Sequence, residues 1–339
     1  MTTDKPAPAG QTTLSQVADL AGVSISTVSR VVSKKGKVSK EKQQAVEKAI
    51  EQLAFTPNAL AQGLKRGRSM TIGVVTPMMV GNSFSDTLYG IDKELSEHNY
   101  AALIVVSHFD KSEEMDSIRL LLSRRVDGII ILSSSTPLEN VATFARQLPI
   151  LTFGQVPAEP NALGMTIDNE RGGYLATQHL IEQGHRHIAH ITGTIQRDSA
   201  IRRLAGYRQA LVEAGIGFDP RLVVGGDYTE LSGVAAVAQL FERGAAFSAI
   251  FAANDQSASG ALLALHRRGI RVPDDVSLVG FDDTRAGRYL VPPLTTVHVP
   301  LFEMGQLAAR GILGLIENRP TSIELPPLKL IVRESTARS

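Results

Sequence analysis

From Thr71 onward, the sequence alternates between short apolar runs rich in β-branched residues and segments with the periodicity of amphipathic helices. An apolar run without polar alternation is typical of a strand buried on both faces, as in a parallel sheet covered by helices. Ten such runs cover residues 71–76, 101–106, 126–132, 149–153, 164–168, 187–192, 222–226, 248–253, 276–281 and 328–334. Because ten strands exceed one ordinary open sheet, the pattern predicts two α/β subdomains.

The first seventy residues instead predict a small helical head. Its three helices cover about 14–21, 25–33 and 39–53. A capping box of Thr13 and Gln16 begins the first helix, and a turn with Gly22 and Ser24 separates it from the second. Two short helices joined by a glycine-containing turn are typical of a helix-turn-helix motif, whose second helix enters the major groove of DNA.

The second helix carries the side chains that such a role requires. Val28 is predicted to face the core of the head. The predicted outer face carries Ser26, Thr27, Ser29 and Arg30. Short polar side chains let a helix approach the base edges, and an arginine can form a bidentate pair with guanine.

Positive charge is concentrated in the same head. Residues 1–70 contain 11 Lys and Arg against 5 Asp and Glu, whereas the remaining 269 residues contain 24 against 29. A basic head on a slightly acidic body favours a polyanionic partner for the head alone. On charge alone, a solvated basic surface is the alternative.

Composition and motifs exclude several other classes of protein. The chain has no cysteine, which excludes disulfides, thiolate zinc sites and a cysteine nucleophile. No apolar run reaches 18 residues, and the first 13 residues lack the basic and apolar regions of a signal peptide. We therefore expect a cytoplasmic protein without a membrane segment.

Motifs of enzymes and metal sites are incomplete or missing. Gly215 and Gly217 are followed by Pro220, so the dinucleotide-binding fingerprint fails, and no phosphate-binding loop or zinc protease motif occurs. His185, His187 and His190 are close in sequence, but a packed or solvated strand edge is the alternative to zinc binding. We expect no catalytic residue and no metal.

Longer stretches resemble the LacI/GalR family of transcriptional regulators. They include LSQVADLAGVSISTVSRVVS, LAFTPNALAQGLKRGRS, GHRHIAHITG, RRLAGYRQAL, AIFAANDQSASGALLALHRRGIRVPDDVSLVGFDD and VPPLTTV, and the resemblance covers about residues 13–335. It implies an N-terminal all-α helix-turn-helix headpiece and an α/β core of two flavodoxin-like subdomains, the type-I periplasmic-binding-protein fold.

The resemblance also implies a division of the chain. This division is a disordered tail at 1–12, a helix-turn-helix domain at 13–57, a hinge helix and linker at 58–69, an N-subdomain at 70–169 with 301–328, and a C-subdomain at 170–300 with 329–339. The implied function is sequence-specific repression by a homodimer on a pseudo-palindromic, double-stranded operator. A small carbohydrate-like effector between the subdomains would control the affinity, and no cofactor is expected.

The residues expected to contact DNA come from the recognition helix and the hinge. They are Ser24, Ile25, Ser26, Thr27, Ser29, Arg30, Ser33, Asn58, Ala61, Leu64 and Lys65. Leu64 matches the leucine that the family inserts into the minor groove, where an apolar wedge opens a base step and bends the duplex; a core leucine is the alternative. Gly63 lowers the helix propensity of the hinge by about 1 kcal/mol relative to alanine.

The residues expected to contact the effector lie where strands end. They are Phe84, Asp168, Arg203, Asn254 and Asp282. Ligands of such sheets bind outside the carboxyl ends of the strands, and carboxylates and amides there accept hydrogen bonds from hydroxyl groups. The alternatives are helix or turn capping by the Asn254–Asp255 and Asp282–Asp283 pairs and core packing by Phe84. A sugar, sugar acid or glycoside is expected, with purines and nucleosides as alternatives, and both induction and co-repression stay open.

Overall fold

The structure is a computed structural model that describes residues 12–32, 37–55, 67–78, 82–134 and 136–339. The chain divides into two compact units, Met1–Ser69 and Met70–Ser339. The predicted fold class, a helical head followed by an α/β core of two subdomains, is confirmed. Among the described residues, no helix has both the length and the apolar character that crossing a membrane requires.

The described residues of the first unit form three short helices around a small core. They are α1 (Leu14–Ala21), α2 (Ile25–Val32) and α3 (Lys40–Gln52). The predicted capping box is present, because Thr13 Oγ1 accepts from the amide of Gln16 and Gln16 Oε1 accepts from the amide of Thr13. Gly22 ends α1 with a φ of 62°, a left-handed conformation that glycine adopts without strain.

The second unit begins with a five-stranded parallel sheet. Its strands are β1 (Thr71–Thr76), β2 (Ala101–Val106), β3 (Gly128–Ile131), β4 (Ile150–Phe153) and β5 (Ala162–Met165). Three helices follow the first three strands in turn: α4 (Asn82–Glu97), α5 (Lys111–Ser123) and α6 (Leu138–Ala145). The strand order β2-β1-β3-β4-β5 is the flavodoxin-like order, in which a ligand binds where the order reverses between β1 and β3.

The second sheet repeats this order. Its strands are β6 (Ile188–Ile191), β7 (Val223–Val224), β8 (Ala249–Ala252), β9 (Ser277–Asp282), β10 (Thr295–His298) and β11 (Lys329–Ile331). The helices of this subdomain are α7 (Asn169–Glu182), α8 (Asp198–Glu213), α9 (Glu230–Glu242) and α10 (Asp255–His266). The order is β7-β6-β8-β9-β10, with β11 added antiparallel to β10.

The last helix ties the two subdomains together. Helix α11 (Leu301–Ile316) follows β10 of the second sheet but packs on α4 and on strands β3 to β5 of the first. The chain then returns to the second sheet as β11. Ile72 and Val74 of the first sheet and Phe251 and Val279 of the second belong to one continuous hydrophobic cluster. The carboxyl ends of the two sheets are therefore held as parts of one unit.

Candidate functional sites

The outer face of α2 is polar, as the sequence predicts. Val28 is fully buried, whereas Ile25, Ser26 and Arg30 are exposed. The hydroxyl of Ser24 lies 2.8 Å from that of Ser26 and 2.9 Å from that of Thr27, so these side chains form a hydrogen-bonded group at the start of the helix. Ser29 lies on the same helix and is half-buried. Five predicted contact residues lie outside the described residues: Ser33, Asn58, Ala61, Leu64 and Lys65.

Asp282 is the most unusual side chain at the carboxyl ends of the strands. Asp282 is the last residue of β9 and is 7% exposed. Its backbone φ is 111°. Among the described residues, no group donates a hydrogen bond to its carboxylate. Burial raises the pKa of Asp282 to about 7, although the positive charge of Arg203 opposes this shift. A buried carboxylate in this state accepts hydrogen bonds readily from a ligand.

Arg203 is buried, and its positive charge acts on the carboxylate of Asp282. Its Nε donates to Asn169 Oδ1 at 2.9 Å, and its Nη1 donates to the carbonyl oxygen of Ala253. The guanidinium carbon lies 3.5 Å from the centre of the Phe281 ring, in stacking contact. The structure thus brings Arg203 and Asp282, two predicted effector residues, to one place.

Asn254 and Asp168 cap helices in this structure. Asn254 Oδ1 accepts from the amide of Ser257 at 2.9 Å, and Asn254 Nδ2 donates to the carbonyl of Tyr228 at 3.0 Å. Asp168 is exposed, and its Oδ1 accepts a hydrogen bond from the amide of Arg171 at 2.9 Å. The side chains of both residues therefore cap helices, a role that the sequence left open for Asn254. Their contact with an effector stays a prediction.

Asp255 and Asp283, the second residues of the Asn254–Asp255 and Asp282–Asp283 pairs, are engaged within the fold. Asp255 is buried and accepts hydrogen bonds from Thr284 and Thr296. Asp283 is buried and contacts two guanidinium groups, Arg333 at 2.5 Å and Arg288 at 3.2 Å, and its Oδ2 lies 3.0 Å from Nδ1 of His298. These two carboxylates are occupied, so Asp282 is the acidic group of its pair that a ligand can use.

Phe84 has the core packing that the sequence left open, and its contact with an effector stays a prediction. It packs partly against the main hydrophobic cluster and contacts the ring of Phe109 edge-to-face at 6.3 Å. Phe109 in turn lies under the guanidinium of Arg197, with 4.3 Å between the guanidinium carbon and the ring centre. Nη1 of Arg197 also donates to Ser133 Oγ at 3.2 Å. Arg197 precedes α8 in the second subdomain, whereas Phe109 and Ser133 belong to the first, so Arg197 spans the cleft.

Tyr228 completes the wall of the cleft. Its hydroxyl lies 2.8 Å from Ser199 Oγ, and its ring centre is 5.9 Å from the guanidinium carbon of Arg203. The ring occupies the space beside Gly193, where a β-carbon would come within 2.0 Å of it. Its φ of 72° is left-handed, a strained conformation that is typical of functional positions. Sequence reasoning missed Tyr228, Phe109 and Arg197, because all three lie outside the periodic segments.

Two of the three clustered histidines, His185 and His190, serve the packing of the second subdomain, whereas His187 is exposed. His190 is fully buried between the rings of Tyr207 and Phe251, and its Nδ1 lies 2.9 Å from the carbonyl oxygen of Phe251. His185 bonds to Ser248 and to the carbonyl of Ala337. No group of three metal-binding side chains occurs in the part of the chain that the structure describes.

Together, a helix-turn-helix head and a two-sheet core with a polar cleft define a class of protein: DNA-binding regulators joined to a small-molecule receptor. Residues 13–58 match the family described as bacterial regulatory proteins, lacI family, and residues 177–336 match a periplasmic binding protein-like domain. The transcriptional regulator AscG of Escherichia coli strain K12 is 35% identical, and the alignment covers 96% of this chain and 98% of AscG. The chain belongs to the LacI family of bacterial transcriptional regulators.

Solved structures agree with this assignment. A lac repressor dimer bound to operator and the anti-inducer ONPF superimposes with a TM-score of 0.85 at 29% identity, over 97% of this chain and all of that one. A complex of the regulator CelR with cellobiose gives a TM-score of 0.70 at 34% identity, over 96% of this chain and all of that one. The relatives are regulators rather than enzymes.

Proposed function

We propose that this protein is a repressor whose affinity for its operator is controlled by a small carbohydrate-like effector bound between the two subdomains. The observation that carries this proposal is the buried carboxylate of Asp282, which faces Arg203 and receives no hydrogen bond from the described residues. Hydroxyl groups of a sugar would supply the missing donors. The cellobiose bound to the related CelR supports this class of ligand.

In this proposal, Phe84, Asp168 and Asn254 complete the effector site. The effector changes the angle between the subdomains and thereby the spacing of two hinge helices across a homodimer. The coupling is reciprocal: an effector that weakens operator binding must itself bind the DNA-free form more tightly, by the same factor. No resident cofactor takes part, and the protein acts in the bacterial cytoplasm, on the nucleoid when it is bound to operator.

On the DNA, the proposal assigns base reading to Ile25, Ser26 and Arg30 and the minor-groove wedge to Leu64. Ile25 suits an apolar contact with a thymine methyl group. If Leu64 is the wedge, Leu64→Ala weakens specific binding far more than non-specific binding, because only the specific complex bends the duplex. Equal losses in both would contradict the assignment.

The first experiment retains sheared genomic DNA of the source organism on the purified protein and sequences the retained fragments. The salt concentration is fixed near 100 mM, because affinity that depends on phosphate contacts falls steeply with salt. We expect one or a few palindromes, whose retention changes when the correct metabolite is added. Retention without sequence preference, in the absence and in the presence of metabolites, would contradict the proposal.

A further inference from the structure

We propose that Asp127 is a positioning residue, which fixes the direction in which the chain enters the core and thereby supports operator binding. This inference rests on the proposed function and adds one residue to its mechanism. It starts from Met70, the last residue before β1, whose amide donates to Asp127 Oδ2 at 2.9 Å. Asp127 directly precedes Gly128, the first residue of β3.

Met70 is held from both sides of the central strand. Strand β1 lies between β2 and β3 in the first sheet. On the side of β2, the carbonyl oxygen of Met70 accepts from the amide of Ala101 at 3.0 Å. On the side of β3, the amide of Asp127 donates to the carbonyl oxygen of Thr71 at 2.8 Å, while its carboxylate accepts from Met70. The main chain and the side chain of Asp127 therefore hold two successive residues.

The chain changes direction at Met70. Its φ of 57° is left-handed, a conformation that costs free energy for a residue with a side chain. Thr71, the next residue, already belongs to the extended strand β1. A carboxylate that accepts from a backbone amide forms a charge-assisted hydrogen bond. Because this bond ends on Met70 itself, it stabilises the bend, and its loss would free the chain to adopt the extended conformation that the side chain favours.

The backbone that carries Asp127 is tightly packed. Val126 and Gly128, its two neighbours, are buried. A β-carbon at Gly128 would lie 2.8 Å from Cγ1 of Ile312, so the glycine lets α11 lie close to the start of β3. Asp127 is therefore a fixed point to which Met70 is attached.

The charge of Asp127 makes the inference distinguishable from simple electrostatics. In the proposed function, two headpieces bind two half-sites at once, so the direction of each linker contributes to the specific complex. DNA is a polyanion, and removal of a carboxylate should by charge alone raise the affinity for any duplex. Loss of a positioning bond should instead lower the affinity for the operator alone. The two effects have opposite signs.

The test compares Asp127→Ala with Asp127→Asn. Asp127→Ala removes the acceptor of the Met70 amide, whereas Asp127→Asn keeps an acceptor oxygen and removes the charge. For each full-length protein, we would measure the affinity for an operator from the genomic selection and for a scrambled duplex of the same length, at one salt concentration. We expect Asp127→Ala to bind the operator about tenfold more weakly, the loss typical of a hydrogen bond to a charged group. Its affinity for the scrambled duplex should not fall, and Asp127→Asn should bind the operator with intermediate affinity.

Cleavage by trypsin after Arg68 tests the same bond without DNA. A protease binds several residues on each side of the cleaved bond in extended form, so this cleavage requires Met70 and Thr71 to leave the sheet locally. We expect Asp127→Ala to be cleaved after Arg68 about tenfold faster than the unchanged protein. Urea unfolding of both proteins corrects this rate for any change in global stability, which a merely structural role would alter alone.

Asp219→Ala is the matched control. Asp219 also accepts from a backbone amide, that of Arg221, at 2.9 Å, but it lies in the second subdomain. Asp219→Ala should keep both the operator affinity and the slow cleavage after Arg68.

Three results would overturn the inference: full operator affinity in Asp127→Ala, an equal loss on the scrambled duplex, or slow cleavage after Arg68. If Asp127→Ala does not fold, Asp127→Glu takes its place, because it keeps the charge but displaces the acceptor by one methylene group. Failure to retain any operator would contradict the proposed function, and the cleavage rate would still decide whether Asp127 holds the chain.

Discussion

At the scale of single residues, Asp282 makes effector binding dependent on pH. Its pKa of about 7 means that the carboxyl group gains a proton as the pH falls through neutrality. Ligand hydroxyl groups that donate to the carboxylate bind the ionised form. We therefore expect the affinity for the effector to be highest above pH 7. At lower pH the affinity should decrease, by a factor that approaches ten for each pH unit. Titration calorimetry between pH 8.5 and 5.5 measures the effector affinity. The Asp282→Asn protein should bind the effector weakly, with an affinity that does not change with pH.

A second residue, His190, affects stability rather than binding. Burial lowers its pKa to about 4, against an ordinary value of 6.5. Between these values the unfolded chain binds a proton that the folded protein does not, so this histidine makes the free energy of unfolding decrease as the pH falls from about 6.5 to 4. The decrease is at most about 3 kcal/mol. Asp255 and Asp282, with raised pKa values, contribute with the opposite sign.

The difference between the unchanged protein and His190→Gln isolates the contribution of the histidine. Urea unfolding at pH 7.5, 5.5 and 4.5 should show that the variant loses less stability on acidification. Parallel curves for the two proteins would show that His190 does not carry this pH dependence.

At the scale of helices and strands, close packing of α7 against α8 positions Arg203. A β-carbon at Gly206 would lie 1.9 Å from the carbonyl oxygen of Glu170, and one at Gly173 would lie 2.2 Å from that of Arg203. We expect Gly206→Ala to separate the helices and to destabilise the protein by about 1–3 kcal/mol. The shift also moves Arg203, so effector affinity should fall. Gly217→Ala is the control, since a β-carbon there meets nothing within 4 Å.

The outcome for Gly206→Ala is measured by chemical unfolding and by effector titration. Full effector affinity in a destabilised Gly206→Ala protein would show that the position of Arg203 does not depend on this contact. Unchanged stability would show that the helices adjust to the added methyl group without cost.

The helices and strands also show how much of this fold the sequence predicts. All ten predicted strands overlap observed ones; strands such as β3, β8 and β9 are buried along their whole length, and such a strand is continuously apolar in sequence. The run at 164–168 is shifted, since β5 covers Ala162–Met165, and β10 was missed because TTVH is short and contains a single apolar residue. Arg197 and Tyr228 could not be found in this way, since contacts between distant loops define them. The contacts that we predict with DNA and with an effector stay predictions.

At the scale of the whole molecule, a homodimer requires a surface that each copy of the chain can bury against the other copy. Leu231, Tyr289 and Val291 are large apolar residues that are 82%, 75% and 88% exposed. Leu231 lies in the first turn of α9, which packs on the start of α10 through Gly233 and Glu230. Tyr289 belongs to a short helix whose Gly287 lies beside Asp255, also at the start of α10. Leu231 and Tyr289 therefore lie on elements that meet at the start of α10, and Val291 follows Tyr289 by two residues; we call these three exposed residues the apolar patch.

We expect this apolar patch to lie in the dimer interface. Exposed apolar surface of this kind marks interaction sites, and a stable interface buries about 1,200–2,000 Å² in total. The double variant Leu231→Glu, Tyr289→Glu should therefore be monomeric in light scattering after size-exclusion chromatography. Its operator affinity should fall strongly, because each headpiece then binds its half-site independently. Val212→Glu, at a valine on α8 that is 73% exposed, should keep the dimer. A dimer in the double variant, or a monomer in Val212→Glu, would place the interface on another face of the core.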